Sequence, residues 1–469
     1  MLPDHALLEI FDFYRMIRID RSRIQWWSLL VHICRRWREI IFGSPLRLNL
    51  QIFCTHLTPV KKYLGIWPAF PIVIDYPPRL PFTTRANNVE KNNIIAALKH
   101  PTRISVIRLL VFGIDGMQAT NILKAMEEPF TVLTHLEIDL DWGWEPVIPA
   151  KFLGGSAPRL QKIILSSFPY PTLPTLLLST TDLVKLDLLD IPSNGYISPD
   201  AVAASLVALP RLETFAIGFH SSDPPDRIHI LPVLTRGVLP ALTHFRFKGA
   251  DGYLEELVSR IDCPRLNQIA VTYLNQVVDF QVVQFSKFIH RTIGPEISLF
   301  RHARFNFSDH TVAFTMYPHA NHSHWDRCPA TTIISCERDS QVLQITQVLS
   351  HLSAKLSNVA HLKLKVEPEG HQLTCADYVE WMRLIRQFPT VRTLHVSQEL
   401  AGHVALALED TTAELADEVL PSLNLIRVVG QPASSIEKFI ASRQLSGRPV
   451  TFIDTEAEFD KRLESYASQ

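Results

Sequence analysis

The feature that most constrains this chain is that it repeats itself. "NIIAALKHPTRISVIRL" (Asn93–Leu109) and "NILKAMEEPFTVLTHLEI" (Asn121–Ile138) are offset by 28 residues, whether measured from Asn93 to Asn121 or from Pro101 to Pro129. Each copy is a short helical pattern, a proline, then an apolar alternation. The unit returns as "VAASLVALPRLETFAI", "LEELVSRIDCPRLNQIAV", "YVEWMRLIRQFPTVRTLHV" and "LADEVLPSLNLIRVV", and less regularly as "SAPRLQKIIL", "TTDLVKLDL", "LPALTHFRF" and "LSNVAHLKLKV". "SIEKFIASRQLSGRPVTFI" closes the series. Pro101 and Pro449 lie 348 residues apart, about 29 for each of twelve intervals. One strand and one helix cannot bury their apolar faces alone, so stacked copies must share a continuous core.

In a strand, alternate side chains point to opposite faces. Leu133, Leu136 and Ile138, then Leu183, Leu186 and Leu188, then Leu242, Phe245 and Phe247 follow the spacing L-x-x-L-x-L and face inward. The residues between them line the opposite face: His135, Glu137 and Asp139; Lys185 and Asp187; His244, Arg246 and Lys248; His361, Lys363 and Lys365. Acidic early rungs and basic later ones are expected to form a polarised face for a target protein, since charge complementarity gives specificity and on-rate. Solubilising strand positions would carry the same residue types.

The period and the L-x-x-L-x-L spacing resemble leucine-rich-repeat proteins. The resemblance implies an irregular horseshoe with parallel strands on its concave face over residues 93–455. The interval varies from Pro210 to Pro240 to Pro264, and the Asn that normally follows the consensus strand is missing from nearly every copy. The least regular part is expected around 295–335.

The first fifty residues have a different character. Ala6, Leu7, Ile10, Phe11 and Tyr14 give an amphipathic helix after Leu2-Pro3-Asp4. A basic connector, "RMIRIDRSR", precedes a second helix expected over roughly 24–42, with Leu30, Ile33, Cys34, Trp37, Ile40 and Ile41 on one face. It stops at "GSP", where Gly43 can take a left-handed cap and Pro45 blocks continuation. "LPDHALLEIF" followed by "LLVHICRRWREIIFGSPLRL" resembles an F-box: Leu-Pro, Leu-Leu-x-Ile-Phe, then Val-x-x-Cys-Arg-x-Trp. The match covers about a tenth of the chain. Its connector is longer and more basic than usual, and Leu46 and Leu48 stand where the family often has a Trp. The resemblance implies docking on a Skp-type adaptor, and through it on a cullin–RING ubiquitin ligase. It places Leu2, Pro3, Leu7, Leu8, Ile10, Phe11, Val31, Cys34 and Trp37 on the adaptor-facing or helix-packing surface. Helices that merely cap the following repeats are the alternative.

The expected fold class is therefore α/β: a small all-helical F-box (1–50), an ordered Pro- and aromatic-rich connector (51–92), a leucine-rich-repeat-like solenoid (93–455) and a C-terminal helical tail (456–469). "FPIVIDY" in the connector reads as a strand.

The formal net charge of -1 argues against a global field for nucleic acid or anionic membrane. No interleaved aromatic platform accompanies the basic residues. Only 17 Gly against 32 Pro disfavours phosphate loops. The six cysteines include no CxxC pair, and the start of the chain does not read as a signal peptide, which suggests a cytoplasmic or nuclear setting. No G-x-G-x-x-G, G-x-x-x-x-G-K-[ST] or G-x-S-x-G follows a strand, so a doubly wound enzyme is disfavoured. "YPHANHSHWDRC" gathers His319, His322, His324, Asp326 and Cys328, but its spacing matches no metal-ligand pattern. Glu414 and Glu418 share a face of a possible helix, which a solvated surface explains. No catalytic, cofactor-binding or metal-binding residues are expected. The expected function is a non-catalytic substrate receptor of a Skp–cullin–F-box ligase, the alternative being a repeat-based scaffold without ligase association.

Overall fold

The computed structural model describes residues 2–18, 26–55, 60–76, 88–111, 116–140, 148–149, 151–167, 169, 176–221, 236–274, 282–292, 300–318, 330–352, 356–367, 378–409, 419–428 and 434–454. The chain divides into two compact units, Met1–His220 and Ser221–Gln469.

The first unit opens with helices α1 (Asp4–Arg18), α2 (Trp26–Leu30) and α3 (Arg35–Gly43). The single helix expected over 24–42 is broken. β-Branched Val31 and Ile33 flank His32 in a turn and are stiff at χ1. Cys34 then takes an extended backbone (φ -156, ψ 166) and its Sγ accepts the Trp37 N–H at 3.5 Å, capping α3. The break buries Val31 completely while leaving Ile33 on the surface. The helix does stop at Gly43, but not through a left-handed glycine: Ser44 caps it at φ -127, its N–H donating to Ile41 O.

Trp27 anchors these helices to the next segment. Its ring lies 5.1 Å from that of Trp67 and 5.6 Å from Phe70, and its Nε1 donates to Gln51 O at 3.2 Å. Edge-to-face aromatic contacts of this kind stabilise by about 0.5–1.5 kcal/mol beyond burial.

Strands β1 (Ile52–Cys54), β2 (Ile72–Tyr76), β3 (Ile104–Val111), β4 (His135–Leu140), β5 (Lys162–Ser166), β6 (Lys185–Ile191) and β7 (Thr214–Phe219) pair in sequence order, all parallel. The Pro-rich segment therefore supplies two strands, "FPIVIDY" being β2. Helices α4 (Val60–Ile66), α5 (Asn88–Leu98), α6 (Gly116–Lys124) and α7 (Pro199–Val207) form crossovers. The register stacks Cys54, Ile74, Ile107, Leu136, Ile163, Leu186 and Phe215 into one ladder, none more than 1% exposed. Each aliphatic rung buried this way contributes about 1.5–3 kcal/mol.

The prolines acquire a structural reason in both units. Ala157-Pro158-Arg159-Leu160, Leu209-Pro210-Arg211-Leu212, Leu239-Pro240-Ala241-Leu242, Cys263-Pro264-Arg265-Leu266, Phe388-Pro389-Thr390-Val391 and Leu420-Pro421-Ser422-Leu423 are each four-residue turns. In every one the fourth N–H donates to the first carbonyl, at 3.1–3.4 Å, and both end residues are buried. Proline at the second position presets φ for this turn. The turns deliver the chain to β5, β7 and the strands that begin at His244, Gln268, Thr393 and Leu425.

The second unit holds β8 (Gly237–Val238), β9 (His244–Gly249), α8 (Asp251–Arg260), β10 (Ile261–Asp262), β11 (Gln268–Tyr273), α9 (Val283–Thr292), β12 (His302–Phe307), β13 (Thr311–Tyr317), β14 (Ala330–Ser335), α10 (Gln341–Ser350), β15 (His361–Val366), α11 (Tyr378–Arg386), β16 (Thr393–Val396), α12 (Gln398–Glu409), β17 (Leu425–Val428), α13 (Ser434–Leu445) and β18 (Thr451–Asp454). Glu255 on α8 ties it to α9, accepting the N–H groups of Gln284 and Phe285 at 2.6 and 2.7 Å.

The sheet order here is β9–β11–β14–β13–β12–β15–β16–β17–β18. β13 runs antiparallel to both β12 and β14, so the strands are not all parallel as expected. The hairpin falls within the segment expected to be least regular. Its consequence is that β12, not β14, is the parallel neighbour of β15.

Candidate functional site

The residues expected to face inward do so: Leu133, Leu136, Ile138, Leu183, Leu186, Leu188, Leu242, Phe245 and Phe247 are all buried. The intervening residues form an outward strand face in each unit.

In the first unit this face pairs its own charges. Register places Asp75, Arg108 and Glu137 side by side on β2, β3 and β4. Arg108 reaches Asp75 at 3.8 Å and Glu137 at 4.0 Å, and Lys162 reaches Glu137 at 3.6 Å. Lys185 and Asp187, two residues apart on β6, meet at 3.0 Å. His135 sits beside Lys162, its Nδ1 2.8 Å from Thr134 Oγ1. Partial burial, then the nearby Lys162 and Arg108, push its pKa below the usual histidine value. Asp139 is half-buried beside Ser166. The early rungs read as acidic in isolation are thus interleaved with Arg108 and Lys162, which sequence reasoning missed because pairing depends on register.

In the second unit, His244 and Arg246 are exposed and Lys248 half-buried along β9, facing Gln268, Ala270 and Thr272 of β11. Further along, Arg304, Lys363, His395 and Arg427 occupy one registered row across β12, β15, β16 and β17. His302 and His361 lie in the adjacent row, their rings stacked at 4.4 Å, with Tyr317 stacked on His302 at 5.4 Å. The Arg304 guanidinium lies 5.5 Å from the Tyr317 ring. Asn306 and Lys365 form the third row. Burial, then the charges of Lys365 and Arg304, bring Lys363 down to about 8. Burial, then Lys363 and Arg427, bring His395 down to about 4. Of this group the sequence singled out His361, Lys363 and Lys365, and missed Arg304, His395 and Arg427. Their alternation within "HARFNF", "TLHV" and "LIRV" was visible; the hairpin that brings β12 beside β15 was not.

The residues drawn from the helical resemblance separate into two groups. Leu7, Phe11 and Val31 are core, and half-buried Trp37 meets the Phe11 ring edge-on at 5.0 Å. Leu2, Pro3, Ile10 and Cys34 are exposed and Leu8 is half-buried. Phe13, Leu29 and Ile33, which the motif did not mark, are also exposed, at 66%, 62% and 58%.

A cleft of about 440 Å³ borders α9, lined by Ser286, His290, Arg291, His351 and Leu352 among others. Among the described residues its lining holds no carboxylate, and Arg291 is held by Asp262 at 3.0 Å. Among the described residues, no group of three His, Cys, Asp or Glu is placed to hold a metal, and no helix is long and apolar enough to cross a membrane. The His319–Cys328 cluster and the Glu414/Glu418 pair lie outside the described residues.

No family model matches the chain, and no curated protein does. Among solved structures it is similar to TLR13 in a complex with ssRNA13, at 14% identity and a TM-score of 0.31, over 80% of this chain and 45% of that one. It is also similar to the leucine-rich-repeat-containing protein LegL7 from Legionella pneumophila, at 12% identity and a TM-score of 0.27, over 86% of this chain and 99% of that one.

Proposed function

We propose that this chain is a non-catalytic, repeat-based protein-interaction receptor that captures its partner on the outward strand face. The observation that carries this reading is the registered order of that face. Polar and charged side chains from successive strands are held at fixed spacing on a rigid apolar ladder, which preorganises them for a partner. Replacing Arg246, Lys248, Lys363 and Lys365 together with Glu should abolish partner capture by the folded chain; unchanged capture would sink the reading.

A finer reading concerns the helices. We propose that α1–α3 dock on a Skp-type adaptor, which would make the chain the substrate receptor of a Skp–cullin–F-box ligase, in the cytoplasm or nucleus. Exposed Leu2, Ile10, Phe13, Leu29 and Ile33 favour it: the helices are anchored through Trp27 yet keep apolar side chains in solvent. The mechanism is proximity, since holding a target near the ligase raises its effective concentration. A scaffold without ligase association is the alternative. Adaptor co-purification separates the two: loss on replacing Ile10 and Phe13 by Ser supports the ligase reading, and absence of binding by the native chain removes it.

A further inference from the structure

The two strand faces treat charge differently. On β2–β6 each cation discussed above has a carboxylate within 4.0 Å. On β12, β15, β16 and β17 the outward positions are His302, Arg304, Asn306, His361, Lys363, Lys365, Thr393, His395, Leu425 and Arg427, with no Asp or Glu among them. The Nε atoms of Arg304 and Arg427, at the two ends of the central row, are buried and have no hydrogen-bond partner among the described residues. Leaving a buried donor unpaired is unfavourable, so an acceptor supplied by a partner at either end of the row would be stabilising.

We infer that Arg304, Lys363, His395 and Arg427, with Lys365 beside them, hold an acidic segment of the partner protein laid across four adjacent strands. The inference rests on the strand-face reading and names the partner's chemistry. Adjacent strands are about 4.8 Å apart, so the central row spans about 14 Å. One cation or donor per strand over that length fits several carboxylates in succession better than one compact phosphate, which would reach only one or two of them. Arginine at both ends supplies planar forks that match carboxylate geometry. Half-burial weakens screening of the attraction by solvent. His395, brought down to about 4, is neutral near pH 7 and serves as a hydrogen-bonding partner rather than a charge.

The test is fluorescence anisotropy with a labelled glutamate decamer and the 469-residue chain. Native protein should bind, with affinity falling as salt rises. Arg304→Gln/Lys363→Gln/Arg427→Gln should weaken binding by at least about tenfold. Arg265→Gln/Arg383→Gln/Lys438→Gln removes the same charge from exposed positions off this row and should change binding by less than about twofold. If the triple variant fails to fold, Arg427→Gln alone should still weaken binding. Equal losses in the two triple variants, or no decamer binding, would overturn the inference. Displacement by tripolyphosphate at lower concentrations than by unlabelled decamer would overturn it in favour of a phosphate site. Partner capture that persists without decamer binding overturns the acidic segment alone and leaves the strand-face reading standing.

Discussion

Lys363 stands in register beside Arg304 on neighbouring parallel strands, with no carboxylate between them. Half-burial of Lys363, then the like charges of Lys365 two residues on and of Arg304 on the adjacent strand, disfavour its charged form and destabilise the fold. Lys363→Gln should therefore stabilise the protein at pH 7 by up to about 1 kcal/mol while weakening anion binding. The sign of the pH dependence follows. The folded Lys363 pKa of about 8 lies below its ordinary 10.5, so between those values the unfolded chain carries more proton and stability rises with pH. His302, His361, His395, Asn306 and Arg304 are the other outward groups around it. The stability gap between Lys363→Gln and native, read as melting temperature, should be widest at pH 7 and narrow by pH 9.5. A gap independent of pH would count against the repulsion.

Glu255 should be a structural linchpin between α8 and α9. Glu255→Ala leaves the Gln284 and Phe285 N–H groups without their acceptor, at a cost of about 2 kcal/mol. Glu255→Gln keeps one carbonyl oxygen and should lose about half as much. Urea midpoints of the three proteins check the order, and an unchanged midpoint for Glu255→Ala would reject the link.

Cys34 caps α3 with sulfur at 3.5 Å, a weak acceptor where Ser is preferred. Cys34→Ser should raise the melting temperature, equivalent to roughly 0.5 kcal/mol, and Cys34→Ala should not. Equal behaviour of the two variants would show that the cap is immaterial.

Phe11 and Phe13 sit two residues apart on α1 with opposite fates, one fully buried and one 66% exposed. Phe11→Ala should destabilise the helices by about 3 kcal/mol or more. Phe13→Ser should leave stability within about 0.5 kcal/mol and act only on adaptor co-purification. A stability loss on Phe13→Ser would place that ring in the core.

The inward half of the fold was legible because it obeys local rules. The L-x-x-L-x-L spacing and period-two alternation name Leu136, Leu242 and Phe245 without any long-range knowledge. The outward half depends on which strands become neighbours. Asp75, Arg108 and Glu137 are distant in sequence and meet only through register, and Arg304 joins Lys363 only because a hairpin intervenes. The α2–α3 break was hidden because Leu30, Ile33, Cys34 and Trp37 fit the helical period while β-branched Val31 and Ile33 disfavour it. Trp27 was overlooked because its partners, Trp67 and Phe70, lie beyond the motif that drew attention to Trp37.

The measurement that tests the central claim most directly is photo-crosslinking in extracts of cells that make the protein. Benzoylphenylalanine would replace Lys365 on the strand face or Lys438 on α13, both exposed. The account predicts a discrete adduct from position 365 that disappears with Arg304→Glu/Arg427→Glu, and no such adduct from position 438. The same adducts from both positions, or an adduct at 365 indifferent to the charge reversals, would contradict capture on the strand face.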